Sequence, residues 1–246
     1  AITTRIFAVS STVKNSSRKA DRIPDSKYRV IYNGVTLEPR TSEQQRQQYR
    51  REWNLADEAR IIGNIGMFSR LKGQAVLVQS FAELAREFPD VYLVIVGSER
   101  ELEPGVKQEL ESIAATYDVS DRVIFAGSRD DVRMLLYSFE LFVMPSRVEG
   151  FGLALVEAMV SGVPAIVSDI PAFKELTEDG TYALLFESGD SGDLREKLRF
   201  ALTHEDEMAE CARRAETHAR SRFSAERMIK EYEDAYAGDL REKGLL

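Results

Sequence analysis

Two carboxylates at a fixed spacing are the residues of this 246-residue chain best placed to do chemistry. Glu149 lies in a glycine-rich turn after an apolar run, and Glu157 follows after seven residues, about two turns into the next predicted helix. The Gly-Phe-Gly backbone between them can approach a ligand closely, because glycine has no Cβ. The helix N-terminus offers N–H groups and a positive dipole end to a phosphate. Since a helix carboxylate can also accept hydrogen bonds from a ribose diol, the pattern predicts a site for a phosphorylated sugar. The alternative is a strand–turn–helix with an ordinary solvated glutamate face.

Six short apolar runs alternate with helical segments, which predicts a doubly wound parallel α/β sheet covered on both faces. The predicted strands are 61–66, 91–97, 122–127, 140–145, 164–168 and 182–186. The predicted helices between them are 74–88, 106–117, 131–138, 152–161 and 172–177. A helical tail follows at 191–203, 205–222 and 225 to about 243, with Ser224 as the N-cap of its last helix. Such sheets bind ligands at the carboxyl ends of their strands, where Gly66, Gly97, Gly127 and Glu149 are expected.

The stretch from Ser146 to Asp169, S-R-V-E-G-F-G-L-A-L-V-E-A-M-V-S-G-V-P-A-I-V-S-D, resembles the donor-binding signature of the retaining group 1 glycosyltransferases of GT-B fold. The resemblance implies a Rossmann-like half of such an enzyme, transferring a hexosyl group from a UDP- or GDP-sugar to a glycan or lipid-linked acceptor. It implies that Glu149 positions the donor and stabilises charge, without a firm role as nucleophile. It also implies donor contacts from Gly150, Phe151, Gly152, Leu153 and Glu157.

The loop after the first long strand reads G-M-F-S-R-L-K-G-Q, from Gly66 to Gln74. In the family that it resembles, basic residues of this loop neutralise the donor diphosphate, and the resemblance implies that role for Arg70 and Lys72. Fixed cations stabilise the negative charge that develops on the leaving phosphate. Met67 departs from the family, which usually has arginine there. Taken alone, the loop is also consistent with a solvated basic turn.

The loop after the third long strand reads G-S-R-D-D-V, from Gly127 to Val132. The resemblance implies backbone contacts to the nucleobase here and makes Arg129 a candidate contact beside the base. Capping of the next helix by Asp130 is an equal alternative. The loops at Gly66 and Gly97 complete the expected donor site.

The first 35 residues are predicted to form the end of an N-terminal domain and the crossover, because V-I-Y-N-G-V resembles the inter-domain crossover of the family. Residues 36–246 are predicted to be the nucleotide-sugar-binding domain, and the start A-I-T-T-R is expected to be the interior of a protein. The expected partners are therefore a nucleoside-diphosphate sugar and a missing N-terminal domain or separate acceptor subunit. Three interpretations stay open: the donor half of an enzyme, a nucleotide-sugar-binding module, or a domain that lost its chemistry and serves as an interaction surface.

Composition excludes several other classes of protein. A net charge of −8 argues against a nucleic-acid partner, and the single Cys211 excludes an internal disulfide and fits a reducing compartment. There is no Asp-x-Asp and no metal-ligand spacing, and no third glycine follows Gly152 at dinucleotide spacing, so no metal or cofactor is expected. His204 and His218 are expected to be ordinary tail residues. No run approaches the ~18 apolar residues of a membrane span, so we expect a cytoplasmic protein with membrane contact at the inner face only through the missing half.

Overall fold

The computed structural model describes residues 5–21, 23–36 and 41–242, which form two parallel sheets with flanking helices. The strands are β1 (Ile6–Ala8), β2 (Tyr28–Val30), β3 (Arg60–Ile65), β4 (Val91–Val96), β5 (Val123–Gly127), β6 (Leu141–Met144), β7 (Ala165–Ser168) and β8 (Leu184–Phe186). The helices are α1 (Ser11–Asp21), α2 (Glu43–Glu52), α3 (Gln74–Leu84), α4 (Val106–Thr116), α5 (Val132–Leu136), α6 (Leu153–Val160), α7 (Pro171–Thr177), α8 (Ser191–Thr203), α9 (Glu205–Arg222) and α10 (Ala225–Glu242).

The large sheet has the order β5-β4-β3-β6-β7-β8, with every neighbouring pair parallel. The chain leaves β3 in one direction through β4 and β5, then returns to build β6, β7 and β8 on the other side. The order therefore reverses between β3 and β6. In a doubly wound sheet, the crevice at the carboxyl ends of the strands that flank this reversal is the usual ligand site. This confirms the predicted doubly wound fold.

Neighbouring residues of the same strand belong to two separate hydrophobic clusters. This is expected for a sheet that is covered by helices on both faces. Ile61 belongs to one cluster and Ile62 to the other, and Phe142 and Val143 divide in the same way. Because successive side chains of a strand point to opposite faces, the two clusters lie on the two sides of the sheet. Helices α5, α6 and α7 pack on the first side, and α3, α4 and α8 on the second.

The six predicted strands of the large sheet all form, and the differences are at element ends. The helix predicted to reach residue 88 ends at Leu84, and the strand predicted from residue 182 begins at Leu184. Ser224 accepts a hydrogen bond from the Arg227 amide at 3.2 Å, which confirms it as the N-cap of α10. The predicted end of that helix at about Lys243 lies outside the described residues, as do the first four residues.

Helix α2 was not predicted, because its sequence is rich in glutamine and arginine and carries no apolar periodicity. Its start nevertheless has a local signal, since Ser42 accepts a hydrogen bond from the Gln45 amide at 3.3 Å. Serine followed three residues later by glutamine is a known helix-start pattern. One side of the helix buries Tyr49 and Arg50, so tertiary packing rather than an apolar stripe holds it in place.

The first strand, α1 and β2 form a small unit that packs beside the last helix. The Val35 amide donates to the Phe223 carbonyl at 2.8 Å, so the predicted crossover runs alongside the start of α10. The Phe7 ring meets the edges of Tyr232 and Tyr236 on that helix, with centroids 5.3 and 5.7 Å apart. Thus the two ends of the described chain lie together. The division at residue 35 remains a prediction.

Candidate functional site

Two loops meet at the reversal point of the large sheet. One follows β3 and the other follows β6, and the Arg147 amide of the second donates to the Leu71 carbonyl of the first at 2.8 Å. Gly73 has φ 68°, and a Cβ there would lie 2.0 Å from the Pro145 carbonyl oxygen. Only glycine lets the two backbones approach this closely. The contact places the side chains of both loops at the crevice.

Lys72 and Glu149 form an ion pair across these loops. The Lys72 Nζ lies 2.5 Å from Glu149 Oε1, and the Ser146 hydroxyl donates to the same oxygen at 3.0 Å. The Glu149 side chain is only 12% exposed, and that of Lys72 is 27% exposed. Among the described residues, none donates to the second carboxylate oxygen of Glu149. The Lys72 ammonium group therefore lies beside a carboxylate that has one oxygen without a donor among the described residues.

The backbone after β3 explains how Lys72 is aimed. Ser69 caps a 3-10 turn over Arg70–Lys72, and α3 begins directly after Gly73. The turn sends Arg70 in another direction: its side chain is 62% exposed and its guanidinium pairs with Glu109 of α4. The structure brings Lys72 to Glu149 and does not bring Arg70 there.

Gly66 and Gly97 lie in neighbouring loops, with different surroundings. Gly97 has φ 150°, and a Cβ there would meet the Gly66 carbonyl oxygen at 2.0 Å. The need for glycine at this position thus follows from packing between two loops. At Gly66 the nearest atoms to a Cβ are 4.0 Å away, on Lys72 and Gln74. Gly66 therefore has open space beside the Lys72 side chain.

The Gly-Phe-Gly turn enters α6 as expected, but its aromatic ring belongs to the core. Phe151 is 5% exposed and packs near Tyr32 and Phe223, at centroid distances of 6.2 and 5.9 Å. Gly150 is held by its carbonyl, which accepts from the Ser10 hydroxyl at 2.5 Å. In this segment only backbone groups and the exposed Leu153 remain for a ligand.

Glu157 lies in the second turn of α6, at the wall of an open cleft of about 640 Å³. The cleft is lined by Ile65 at the end of β3, by residues 130–134 and by Glu157. Its size falls in the range of about 300–1,000 Å³ found for ligand pockets. The Arg133 Nε donates to Glu157 Oε1 at 3.2 Å. The arrangement can hold a nucleoside between β3, the loop after β5 and α6.

Arg129 is tied into a protein network. Its guanidinium pairs with Glu52 of α2 and donates to both Asp131 oxygens at 2.8 and 2.9 Å, while lying 5.4 Å above the Tyr49 ring. The hydrogen bonds from Arg129 lower the pKa of Asp131, and burial with the bond to Asp131 raises the pKa of Tyr49 to about 12. The alternative of a cap by Asp130 was wrong, because Asp131 occupies the N-cap position and caps no amide with its side chain. Beside this network Gly127 faces open space, with no atom within 4 Å of a Cβ.

Sequence reasoning missed Ser146, Arg133 and the α2 residues that bind Arg129. Ser146 stands three residues before Glu149, so its hydroxyl had a local signal. The pairing of Arg133 with Glu157 had none, because the partners are 24 residues apart on different helices.

Residues expected to have no role in the site lie elsewhere. Cys211 is on α9, and burial raises the pKa of its thiol. The His218 ring stacks on Tyr182 at 4.2 Å. Within residues 5–21, 23–36 and 41–242, no group of three histidine, cysteine, aspartate or glutamate side chains is arranged to hold a metal. No helix in the same ranges is long and apolar enough to span a membrane.

Comparison with known proteins shows the family to which this chain belongs. The family model described as glycosyl transferases group 1 matches residues 45–218. N-acetyl-alpha-D-glucosaminyl L-malate synthase of Bacillus anthracis is 27% identical over 237 residues, covering 96% of this chain and 60% of that protein. The O-antigen biosynthesis glycosyltransferase WclY of Escherichia coli is 27% identical over 232 residues, covering 92% and 61%. The chain thus spans about three fifths of the length of these curated relatives.

Two solved structures show the same fold. Anabaena Alr3699/HepE, in complex with UDP and glucose, superposes with a TM-score of 0.89 at 24% identity, over 95% of this chain and 63% of that one. The C-terminal domain of a group 1 family protein, LpcC of Francisella tularensis, has a TM-score of 0.67 at 22% identity. That match covers 75% of this chain and 95% of the Francisella domain, so the resemblance extends over nearly all of a C-terminal domain.

Proposed function

Because this chain belongs to the group 1 glycosyltransferases of GT-B fold, we propose that it is the donor-binding half of a retaining glycosyltransferase. The proposed reaction transfers a hexosyl group from a nucleoside-diphosphate sugar to a glycan or lipid-linked acceptor. The observation that carries the proposal is the placement of the Lys72–Glu149 pair and the Glu157 cleft at the same reversal point of the sheet.

Lys72 is the cation proposed to bind the donor diphosphate. It is fixed by Glu149 and stands beside open space at Gly66, so a phosphate can approach its ammonium group. Breaking the bond between sugar and phosphate leaves negative charge on the phosphate, and a cation held in advance stabilises that charge without reorganisation. Arg70 can join it only if its guanidinium leaves Glu109, so we propose an outer, weaker role for Arg70.

Glu149 is proposed to orient the donor sugar and to stabilise the positive charge that develops on it. One of its oxygens is held by Lys72 and Ser146, which fixes the plane of the carboxylate. Because the plane is fixed, the second carboxylate oxygen of Glu149 also has a fixed direction. In a same-face mechanism the leaving phosphate itself helps to deprotonate the acceptor, so Glu149 needs no covalent step.

Glu157 is proposed to bind the ribose. The loop after β5 and the first turn of α5, from Gly127 to Met134, are proposed to bind the base. The cleft joins these groups, and a carboxylate can accept hydrogen bonds from a ribose diol. The Anabaena structures with UDP and with UDP-glucose support a nucleotide-sugar donor. The O-antigen and lipopolysaccharide core enzymes among the relatives support a glycan or lipid-linked acceptor, bound by a further domain or subunit.

A calorimetric titration of the chain with UDP, GDP, ADP and dTDP tests the proposal. We expect one nucleotide to bind saturably, and the Glu157→Ala variant to lose about tenfold or more of that affinity, the scale of a hydrogen bond to a charged group. Its stability should change little, because the Arg133 pair is partly exposed. Glu111→Ala, on the solvated face of α4, is the matched control. If no nucleotide binds, or if Glu157→Ala binds like the parent chain, the donor site is misassigned.

A further inference from the structure

The pair between Arg133 and Glu157 joins the first turn of α5 to the second turn of α6. The Arg133 Nε donates to Glu157 Oε1 at 3.2 Å, and the two side chains are 40% and 19% exposed. An ion pair of this exposure shifts a folding equilibrium by no more than about fivefold. The contribution of this ion pair to stability is therefore small.

The same two side chains line two adjacent hollows. One is the 640 Å³ cleft assigned to the nucleoside, and the other is a smaller hollow bordered by Thr36, Tyr137 and Arg220. Because Arg133 and Glu157 are the residues common to both, the ion pair forms the wall between them. A nucleoside in the larger cleft can therefore place one edge against this wall.

The wall contains a carboxylate with only one oxygen in use. Arg133 holds Oε1 of Glu157, and no described residue donates to Oε2. The terminal torsion of glutamate is broad, so without a partner the carboxylate plane would sample many orientations. The Arg133 bond selects one of them and leaves the second oxygen to accept from a hydroxyl group in the cleft.

We propose that Arg133 is a positioning residue that orients Glu157 to read the ribose diol, and so selects ribonucleotides over 2′-deoxyribonucleotides. The proposal rests on the proposed nucleotide-sugar site. Arg133 acts through Glu157 here, and its removal therefore changes selectivity between the two sugars more than it changes binding of the diphosphate.

The test measures dissociation constants of UDP and dUDP, and of GDP and dGDP, for the parent chain, Arg133→Ala and Arg133→Lys. In the parent chain, we expect the ribonucleotide of the tighter pair to be favoured by about tenfold or more, as for a hydrogen bond to a charged group. In Arg133→Ala the preference should fall to within about threefold, and Arg133→Lys should be intermediate because lysine keeps the charge but loses the planar fork. Circular dichroism checks that each variant is folded.

Two controls separate positioning from general weakening. Lys72→Ala should weaken both members of a pair in parallel and keep their ratio. Arg213→Ala removes an exposed arginine that pairs with Glu210 on α9 and should change neither constant. An unchanged ratio in Arg133→Ala, or no ribose preference in the parent chain, overturns this inference while leaving the donor site in place. Absence of binding by all four nucleotides, with no binding of ADP or dTDP either, overturns the proposed function and this inference with it.

Discussion

Lys72 and Arg129 are basic residues of two loops at the same edge of the sheet, yet their surroundings are opposite. Lys72 pairs with one carboxylate, Glu149, which also accepts from Ser146 and keeps an oxygen without a donor among the described residues. Arg129 uses three nitrogens on two carboxylates and covers the Tyr49 ring. A group whose hydrogen bonds are already made within the protein gains little from a ligand. The Lys72–Glu149 pair is therefore suited to binding a ligand, and the Arg129 network is suited to holding its loop in shape.

The largest expected effect is the loss of diphosphate binding in Lys72→Ala. The variant removes a charge-assisted bond and leaves Glu149 to repel the phosphates, so affinity for a nucleoside diphosphate should fall roughly 10- to 100-fold. The corresponding nucleoside should bind as before. Arg70→Ala is the matched control from the same turn and should lose less than about threefold, because Arg70 pairs with Glu109. If the two variants lose equal affinity for the diphosphate, or if Lys72→Ala loses equal affinity for diphosphate and nucleoside, Lys72 is not the phosphate-binding cation.

Arg129→Ala should act on stability before it acts on binding. Removing the guanidinium leaves Glu52 and Asp131 without their shared partner, and we expect a loss of about 2 kcal/mol in the free energy of unfolding. Urea denaturation followed by circular dichroism measures it. Arg129→Lys should recover part of the loss. A fully stable Arg129→Ala protein that no longer binds nucleotide would instead make Arg129 a direct ligand.

Asp131 gives this network a dependence on pH. The bond from Arg129 lowers the pKa of Asp131 in the folded chain, against the effect of burial. Because the pKa of Asp131 is lower in the folded than in the unfolded chain, its ion pair stabilises the fold above the unfolded pKa. This stabilisation is lost as the pH falls below about 4. Asp131→Asn should therefore be less stable than the parent near pH 6, by about 1 kcal/mol, and the difference should shrink near pH 3. A difference that is constant with pH would exclude this ion pair as its source.

The smallest expected effect is a gain in diphosphate affinity when Met67 is replaced by arginine. Its side chain is 51% exposed in the loop after β3, so an arginine can be accommodated without disturbing the core. Met67→Arg should strengthen diphosphate binding about threefold, the scale of an exposed charge pair. Met67→Gln supplies a neutral long side chain as control. Weaker binding in the arginine variant would show that this loop does not face the phosphates.

Local sequence was sufficient for the elements of the large sheet. Apolar runs such as V-Y-L-V-I-V and L-F-V-M are short, continuous and separated by helical patterns, which favours buried parallel strands. It was insufficient for α2, whose burial of Tyr49 depends on the loop 82 residues later in the chain. Element ends also shifted by a few residues, since they depend on caps and on packing of the last turn.

The sequence by itself determined that a parallel sheet would bring Gly66, Gly127 and Glu149 to one edge, because strands that alternate with helices are parallel and end at the same edge. Only the tertiary structure decided which charges meet there. Lys72 and Glu149 are 77 residues apart, and Arg70, two positions from Lys72, reaches α4 instead. Side-chain direction depends on the packing of the loops around each residue. That dependence is why the spacing of the two glutamates could predict a candidate site, while the contact between Arg133 and Glu157 could be found only in the fold.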